Sequence, residues 1–306
     1  MLEACDIGHR VVVRHRVGTR QTDVLGTLLA IDTAWLVVRT DAGAEHLVPV
    51  SAVTAAKRVP PRPARYSEML ELERVADRAW PAPEHQTVGL WLLRAAQGWT
   101  NRANSALPLG DSGEPLDATV AACVAFYEAR GLPPKITVPL PVRRDVADDL
   151  SAGAWFAQPP VLVQAAPIEA IATALEDGVD LLDEPTPAFL DALGRWKSKP
   201  PPAALAVLTG VRPVIFAEIR EGGALLATAR GALVDGWLHL GLVEVADAAR
   251  RRGLAQRVSA AVAGWGQALG ATRMVLQVEE GNVAAVALYR RLGFTTHHRY
   301  VTYRAR

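Results

Sequence analysis

Residues 243–255, VEVADAARRRGLA, carry the residue types and spacing that bind a pyrophosphate. Val243 and Val245 alternate as in a strand, and Asp247 begins a turn. Arg250, Arg251, Arg252, Gly253, Leu254 and Ala255 then lead into a run whose apolar positions, Val258, Ala261, Val262 and Trp265, repeat with helical spacing. At such a junction the first-turn N–H groups have no intrahelical acceptor, and the positive end of the helix dipole lies behind them. Gly253 and Ala255 are small enough for a diphosphate to approach the backbone. Each charge-assisted N–H to phosphate bond contributes roughly 1.5–3 kcal/mol, so a few together anchor an anionic cofactor.

The loop is not a P-loop, because no Gly-Lys-Ser/Thr follows, and it lacks the paired glycines of a dinucleotide fingerprint. It resembles the R/Q-x-x-G-x-G/A acetyl-CoA signature of the GCN5-related N-acetyltransferase (GNAT) superfamily. Arg250, Gly253 and Ala255 stand on the three signature positions, with Ala255 replacing the commoner glycine. Downstream, Gly270 ends the helix, 274–279 (MVLQVE) reads as a buried strand, Gly281-Asn282 opens a second helix over 283–292, and Gly293-Phe294 stops it. Over residues 238–304 this order is similar to the GNAT core from its fourth strand to its end. Upstream, 214–221, 224–233 and 237–245 fit three antiparallel strands joined at Glu221-Gly222-Gly223 and Asp235-Gly236.

The resemblance implies acetyl-CoA as cosubstrate, held by Val243, Val245, Arg250, Arg251, Arg252, Gly253, Leu254, Ala255 and Asn282, and direct attack of a primary amine on the acetyl thioester. It also implies that Tyr289, on the helix after the EGN turn, is the general acid for the departing thiolate. Read by itself, Tyr289 is an aromatic packing on Phe294. Asn282 is equally an N-cap. For the general base there are three readings. Glu244 shares strand parity with Leu238, Leu240 and Leu242, and desolvation at the end of that apolar row raises a carboxyl pKa. His239 on the other face is the second candidate, and the third is no dedicated base. Gly241 stands where the family bulges this strand, and a bulge alters parity.

The remaining chain must position these groups. Residues 10–17, 23–31, 35–40 and 45–48 are short strands divided by turn residues and followed by a turn over 49–53, a pattern that fits a small SH3-like barrel. Residues 59–63, VPPRP, make a stiff linker. An internal repeat follows, in which 116–140 overlays 254–278 with Gly131 on Gly270 and Ile136 on Val275. A second helix over 142–151 ends at Ala152-Gly153, matching Leu292-Gly293. Opposite Arg250–Ala255 the first copy has SGEPLD: Pro115 removes an N–H donor, and the segment carries two carboxylates, Glu114 and Asp117, in place of three arginines. That copy is expected not to hold CoA but to wall the substrate cleft or stabilise the active copy. Its Trp99, Asn101, Arg102, Asn104 and Ser105 either face that cleft or hydrogen-bond a strand edge. The expected fold is α+β: a mixed-sheet GNAT fold in two copies, the first degenerate, preceded by the barrel, with domains at 1–60, 61–204 and 205–306.

The 306 residues carry a net charge of +1, distributed as +3 over 1–65, −8 over 66–205 and +6 over 206–306. A basic C-terminal part suits an anionic cofactor, and the acidic middle suits either a cationic substrate or domain docking. Arg10, Arg14, Arg16 and Arg20 have only Trp35 as an aromatic companion, so nucleic-acid binding is disfavoured. Cys5 and Cys123 suggest neither a disulfide framework nor a zinc site, and no metal is expected. No stretch of about 18 apolar residues and no signal-peptide core is present, so a cytoplasmic protein without membrane partners is expected. The acceptor is left as a small-molecule amine or a peptide or protein amine, with a homodimer as a candidate assembly. An acetyl-CoA-binding regulatory or scaffolding protein without turnover is the alternative to an enzyme.

Overall fold

A computed structural model describes residues 2–60, 62–172, 178–196 and 200–306, which leaves Pro61 of the linker outside the described residues. The chain forms two compact units, 1–63 and 64–306. In the first, β1 (Arg10–Val17), β2 (Arg20–Ile31), β3 (Trp35–Thr40), β4 (Glu45–Pro49) and β5 (Val53–Arg58) form an antiparallel sheet in the order β4-β3-β2-β1-β5. Strand alternation sends Val11, Val13, Leu28 and Val38 into its core, each fully buried. The fifth strand was not expected. Its sequence, VTAAKR, has weak strand propensity, and pairing with β1 supplies what local preference does not. On the solvated side Arg14 is bound by Asp23 at 2.8 Å and Arg10 by Asp41 at 2.9 Å.

The second unit begins with α1 (Tyr66–Ala79), β6 (Glu84–Val88), β7 (Trp91–Ala95), β8 (Leu107–Pro108), α2 (Leu116–Glu128), β9 (Lys135–Leu140), α3 (Arg144–Ala152), β10 (Trp155–Ala157) and β11 (Val161–Pro167). It continues with β12 (Asp180–Leu182), α4 (Pro187–Trp196), α5 (Pro202–Thr209), β13 (Val214–Glu221), β14 (Ala224–Val234) and β15 (Trp237–Val245). The chain closes with α6 (Leu254–Ala268), β16 (Arg273–Glu279), α7 (Val283–Arg291) and β17 (Thr295–Ala305). Both expected hairpins form. Gly222 and Gly223 have φ of 56° and 83°, and Asp235 and Gly236 have 48° and 74°, the double positive φ that matches the twist of paired strands.

The repeat is realised as a strand exchange. β11, from the first copy, inserts between β16 and β17 of the second, and the C-terminal half of β17 lies between β9 and β10 of the first. The division at residue 204 therefore marks a sequence repeat and not a packing boundary, because strands from both sides of it alternate in one nine-stranded sheet. On one face α6 packs Val258 and Val262 against Ile215, Leu238, Leu240 and Met274. On the other, Leu72, Trp80, Val207 and Leu208 from α1 and α5 and their flanks meet Val163, Phe216, Ala232 and Val275. Among the described residues no helix is long and apolar enough to cross a membrane.

Candidate active site

β15 and β16 run parallel and pair only from Trp237 and Arg273 to Leu240 and Leu276. Beyond that point they separate and open a cleft of about 300 Å³. The divergence starts at a bulge. Thr228 faces Glu244 but Arg230 faces Gly241, so Ala229 lies opposite both Leu242 and Val243. Leu242 has φ of +53°, and its carbonyl accepts a 3.1 Å hydrogen bond from Thr228 Oγ1.

The bulge overturns the parity argument for Glu244. Leu238 and Leu240 pack in the α6-side core and are joined there by Val243 and Val245, whereas Leu242 joins the opposite core. By alternation Glu244 falls on the face of Leu242, not at the end of the Leu238–Leu240 row. It still borders the cleft, and on its other side lies a groove of about 490 Å³ lined by Ala192, Leu226, Thr228, Val245 and Asp247.

The loop expected to hold a diphosphate ends on Gly253, whose φ of +77° forms the N-cap of α6 with no side-chain cap bond. A Cβ built there meets nothing within 4 Å, so the backbone at this point is open. Arg257 N bonds to Gly253 O, which leaves the earlier first-turn N–H groups without a helical acceptor. Arg250 pairs with Asp247 at 2.7 Å and Arg252 with Glu221, both on the surface, where such pairs are weak and replaceable. The side chain of Leu254 is 3% exposed within the core, so it is the backbone of this residue that a ligand can reach.

Tyr289 is 7% exposed, lines the cleft and meets Phe294 edge-on at 5.6 Å between ring centroids. Burial, with a smaller effect from the nearby Glu244 charge, pushes its pKa above that of an ordinary tyrosine. Asn282 caps α7, its Oδ1 accepting from Ala285 N at 3.1 Å, and it also borders the cleft. His239 is not among the cleft-lining residues. It is fully buried behind them, Nε2 lies 2.9 Å from Arg102 Nη1, and desolvation followed by the charges of Arg102 and Arg230 drives its pKa well below 6.5.

The first copy supplies part of the wall. Trp99, Thr100 and Arg102, in the loop between β7 and β8, line the cleft. Asn104 and Ser105 do not. Asn104 Oδ1 accepts from Ala96 N and Gly98 N, both at 2.8 Å, and Ser105 Oγ bonds to Asn101 O at 2.8 Å. Asn101 itself bonds to Gln158 and Lys135. Gln277 and Glu279 on β16 and Leu193 on α4 also line the cleft and were not anticipated. The one sequence signal was a glutamine inside the apolar run MVLQVE. At the first copy's phosphate-loop position Pro115 is the N-cap of α2, and the turn at Gly89 lies so close that a Cβ on it would meet Ser112 O at 2.3 Å.

A mixed sheet with two strands splayed beside a glycine-capped helix N-terminus is the architecture of the GNAT superfamily, and the chain is an acetyltransferase of that class with a small N-terminal barrel. Residues 66–303 match the family described as "Probable histone acetyltransferase Rv0428c C-terminal", and residues 5–57 match "Rv0428c N-terminal Sm-like domain". The chain belongs to this family. It is 33% identical over 307 residues to the probable histone acetyltransferase Rv0428c of Mycobacterium tuberculosis, covering 95% of this chain and 93% of that protein. It is 27% identical over 246 residues to the uncharacterized N-acetyltransferase YobR of Bacillus subtilis, covering 76% of this chain and 98% of the relative. Among solved structures, a GCN5-related N-acetyltransferase from Kribbella flavida shares the fold with a TM-score of 0.58 at 16% identity, over 78% of this chain and 95% of its own. One from Sphaerobacter thermophilus does so with a TM-score of 0.51 at 17% identity, over 90% and 81%.

Proposed function

We propose that the protein transfers an acetyl group from acetyl-CoA to a primary amine by direct attack. The observation that carries this reading is the meeting, in one splayed cleft, of Glu244 and Tyr289, with the open N-terminus of α6 at the end of the same strand. The residues fit the cosubstrate. First-turn N–H groups of α6, with Arg250, Arg251 and Arg252, suit a diphosphate. The edge of β15 released from β16 after Leu240 offers backbone groups to an amide-bearing chain. Acetyl-CoA supplies an activated thioester.

Glu244 stands between cleft and groove, where a carboxylate takes the proton of an incoming amine. His239 is a poor base here: burial keeps it neutral, and its Nε2 is engaged by Arg102. The raised pKa of Tyr289 keeps its hydroxyl protonated across the neutral range, the state in which it donates to a departing sulfur. The test is incubation with acetyl-CoA and a panel of amines, following thiol release and the mass of the product. The panel includes small amines and lysine peptides of basic proteins, since the M. tuberculosis relative is named a probable histone acetyltransferase. Tight acetyl-CoA binding without thiol release on any amine would overturn the enzymatic reading in favour of a sensor or scaffold.

A further inference from the structure

Arg102 brings into the cleft a cation that acetyl transfer as described does not use. It comes from the first copy, on a loop whose shape is costly. Gln97 and Thr100 have φ of 51° and 62°, a region that side chains other than glycine rarely occupy. Asn104 holds them there, donating through Nδ2 to Trp99 O at 2.7 Å and Thr100 O at 2.9 Å while its Oδ1 accepts from Ala96 and Gly98. Strain stored beside a cleft marks a part whose position matters.

The guanidinium is fixed in place. Nη1 donates to Gln277 Oε1 and to His239 Nε2, a contact that requires His239 to be neutral at that nitrogen, and the plane lies 4.6 Å from the Trp80 ring centroid. Trp80 in turn stacks on Trp99 at 5.5 Å and donates to Thr100 Oγ1 at 3.1 Å. Among the described residues no carboxylate pairs with Arg102, and Nε and Nη2 have no protein acceptor. Desolvation lowers its pKa, with the Arg94 charge acting in the same direction, while Tyr300 and the Glu73 carboxylate oppose the shift without bonding to the guanidinium. An arginine held rigid with a free edge in a half-dry cleft is built to take a planar anion. The same cleft presents Glu244 and Glu279, which suit a cationic or proton-releasing amine.

We propose that the acceptor is an amine that also bears a carboxylate, bound through Arg102 while its amino group faces Glu244. This rests on the acetyl-transfer reading of the same cleft and narrows it to amino acids and related aminocarboxylates. Arg102 then selects the acceptor, and the first copy, unable to hold CoA itself, serves as the specificity wall of the active one.

The test uses matched acceptors that differ only in a carboxylate against a carboxamide, on the full-length protein, wild type and Arg102→Met and Arg102→Lys. Calorimetry measures acceptor binding in the presence of CoA, and kcat/KM is measured with acetyl-CoA. The expected result is a preference for the acid of at least about tenfold in both readouts. Arg102→Met abolishes it by raising KM for the acid alone, and Arg102→Lys restores part of it. Equal binding and turnover of acid and amide by the wild type overturns the proposal even if Arg102→Met does not fold. So does lysine-peptide acetylation indifferent to a neighbouring carboxylate. Preferential acid binding without turnover of any amine supports the Arg102 site and refutes acetyl transfer, so the two readings fail separately.

Discussion

Substitution of Gly253 separates the two contributions of the diphosphate loop. The residue caps α6 with φ of +77°, and a Cβ there meets nothing within 4 Å, so a side chain adds backbone strain without a clash. For alanine that strain is about 1–2 kcal/mol, and Asn and Asp tolerate the conformation better. Gly253→Asn and Gly253→Asp therefore carry similar backbone costs and differ in one charge. A carboxylate about 5 Å from one phosphate charge raises the energy by about 0.8 kcal/mol in bulk water and about 3 kcal/mol at the effective dielectric of a protein surface. Gly253→Asp should thus bind acetyl-CoA at least about tenfold more weakly than Gly253→Asn, with the ratio shrinking as salt is raised. Isothermal calorimetry reads both affinities and the stoichiometry. One site per chain is expected, because Pro115 and the packed Gly89 turn occupy the corresponding position of the first copy. Equal affinities of the two variants, or two sites per chain, would refute the assignment of this loop.

Tyr289→Phe should lower turnover roughly 10- to 100-fold while acetyl-CoA affinity holds, since a proton donor to the leaving group acts in the transition state; full activity across pH would leave Tyr289 a packing residue. Glu244→Gln should cut kcat/KM at neutral pH by about 100-fold, whereas His239→Gln should act mainly on the melting temperature, and the reverse ranking in a steady-state assay would exchange their roles. Above pH 10 the fold should weaken: burial pushes the Tyr300 pKa up to about 12 and raises those of Tyr127, Tyr289 and Cys123 as well, so between pH 10 and 12 the unfolded chain loses protons that the folded one keeps, Tyr300 contributing one of them, and stability falls as pH rises. Tyr300→Phe should flatten that fall in urea melts at pH 9, 10 and 11, and an unchanged slope would show that another group titrates there.

What the sequence determined by itself was local. The RRRGLA helix start, both hairpin turns, the α7 cap at Asn282 and the decay of the first copy's loop each depend on a few neighbouring residues with strong φ preferences or missing donors. Non-local pairing was decided only in three dimensions. β5 forms as a partner of β1, and the exchange of β11 and β17 joined two sequence repeats in one sheet. The bulge opposite Ala229 moved Glu244 to the other face of its strand, which no alternation pattern reveals, because one inserted residue inverts every later position. Arg102 and Gln277 lie 175 positions apart, and only packing the copies together puts them in one cleft with Tyr289. Backbone propensity acts over a few residues, whereas a cleft is made by long-range contacts whose partners are chosen by the buried faces of the whole sheet.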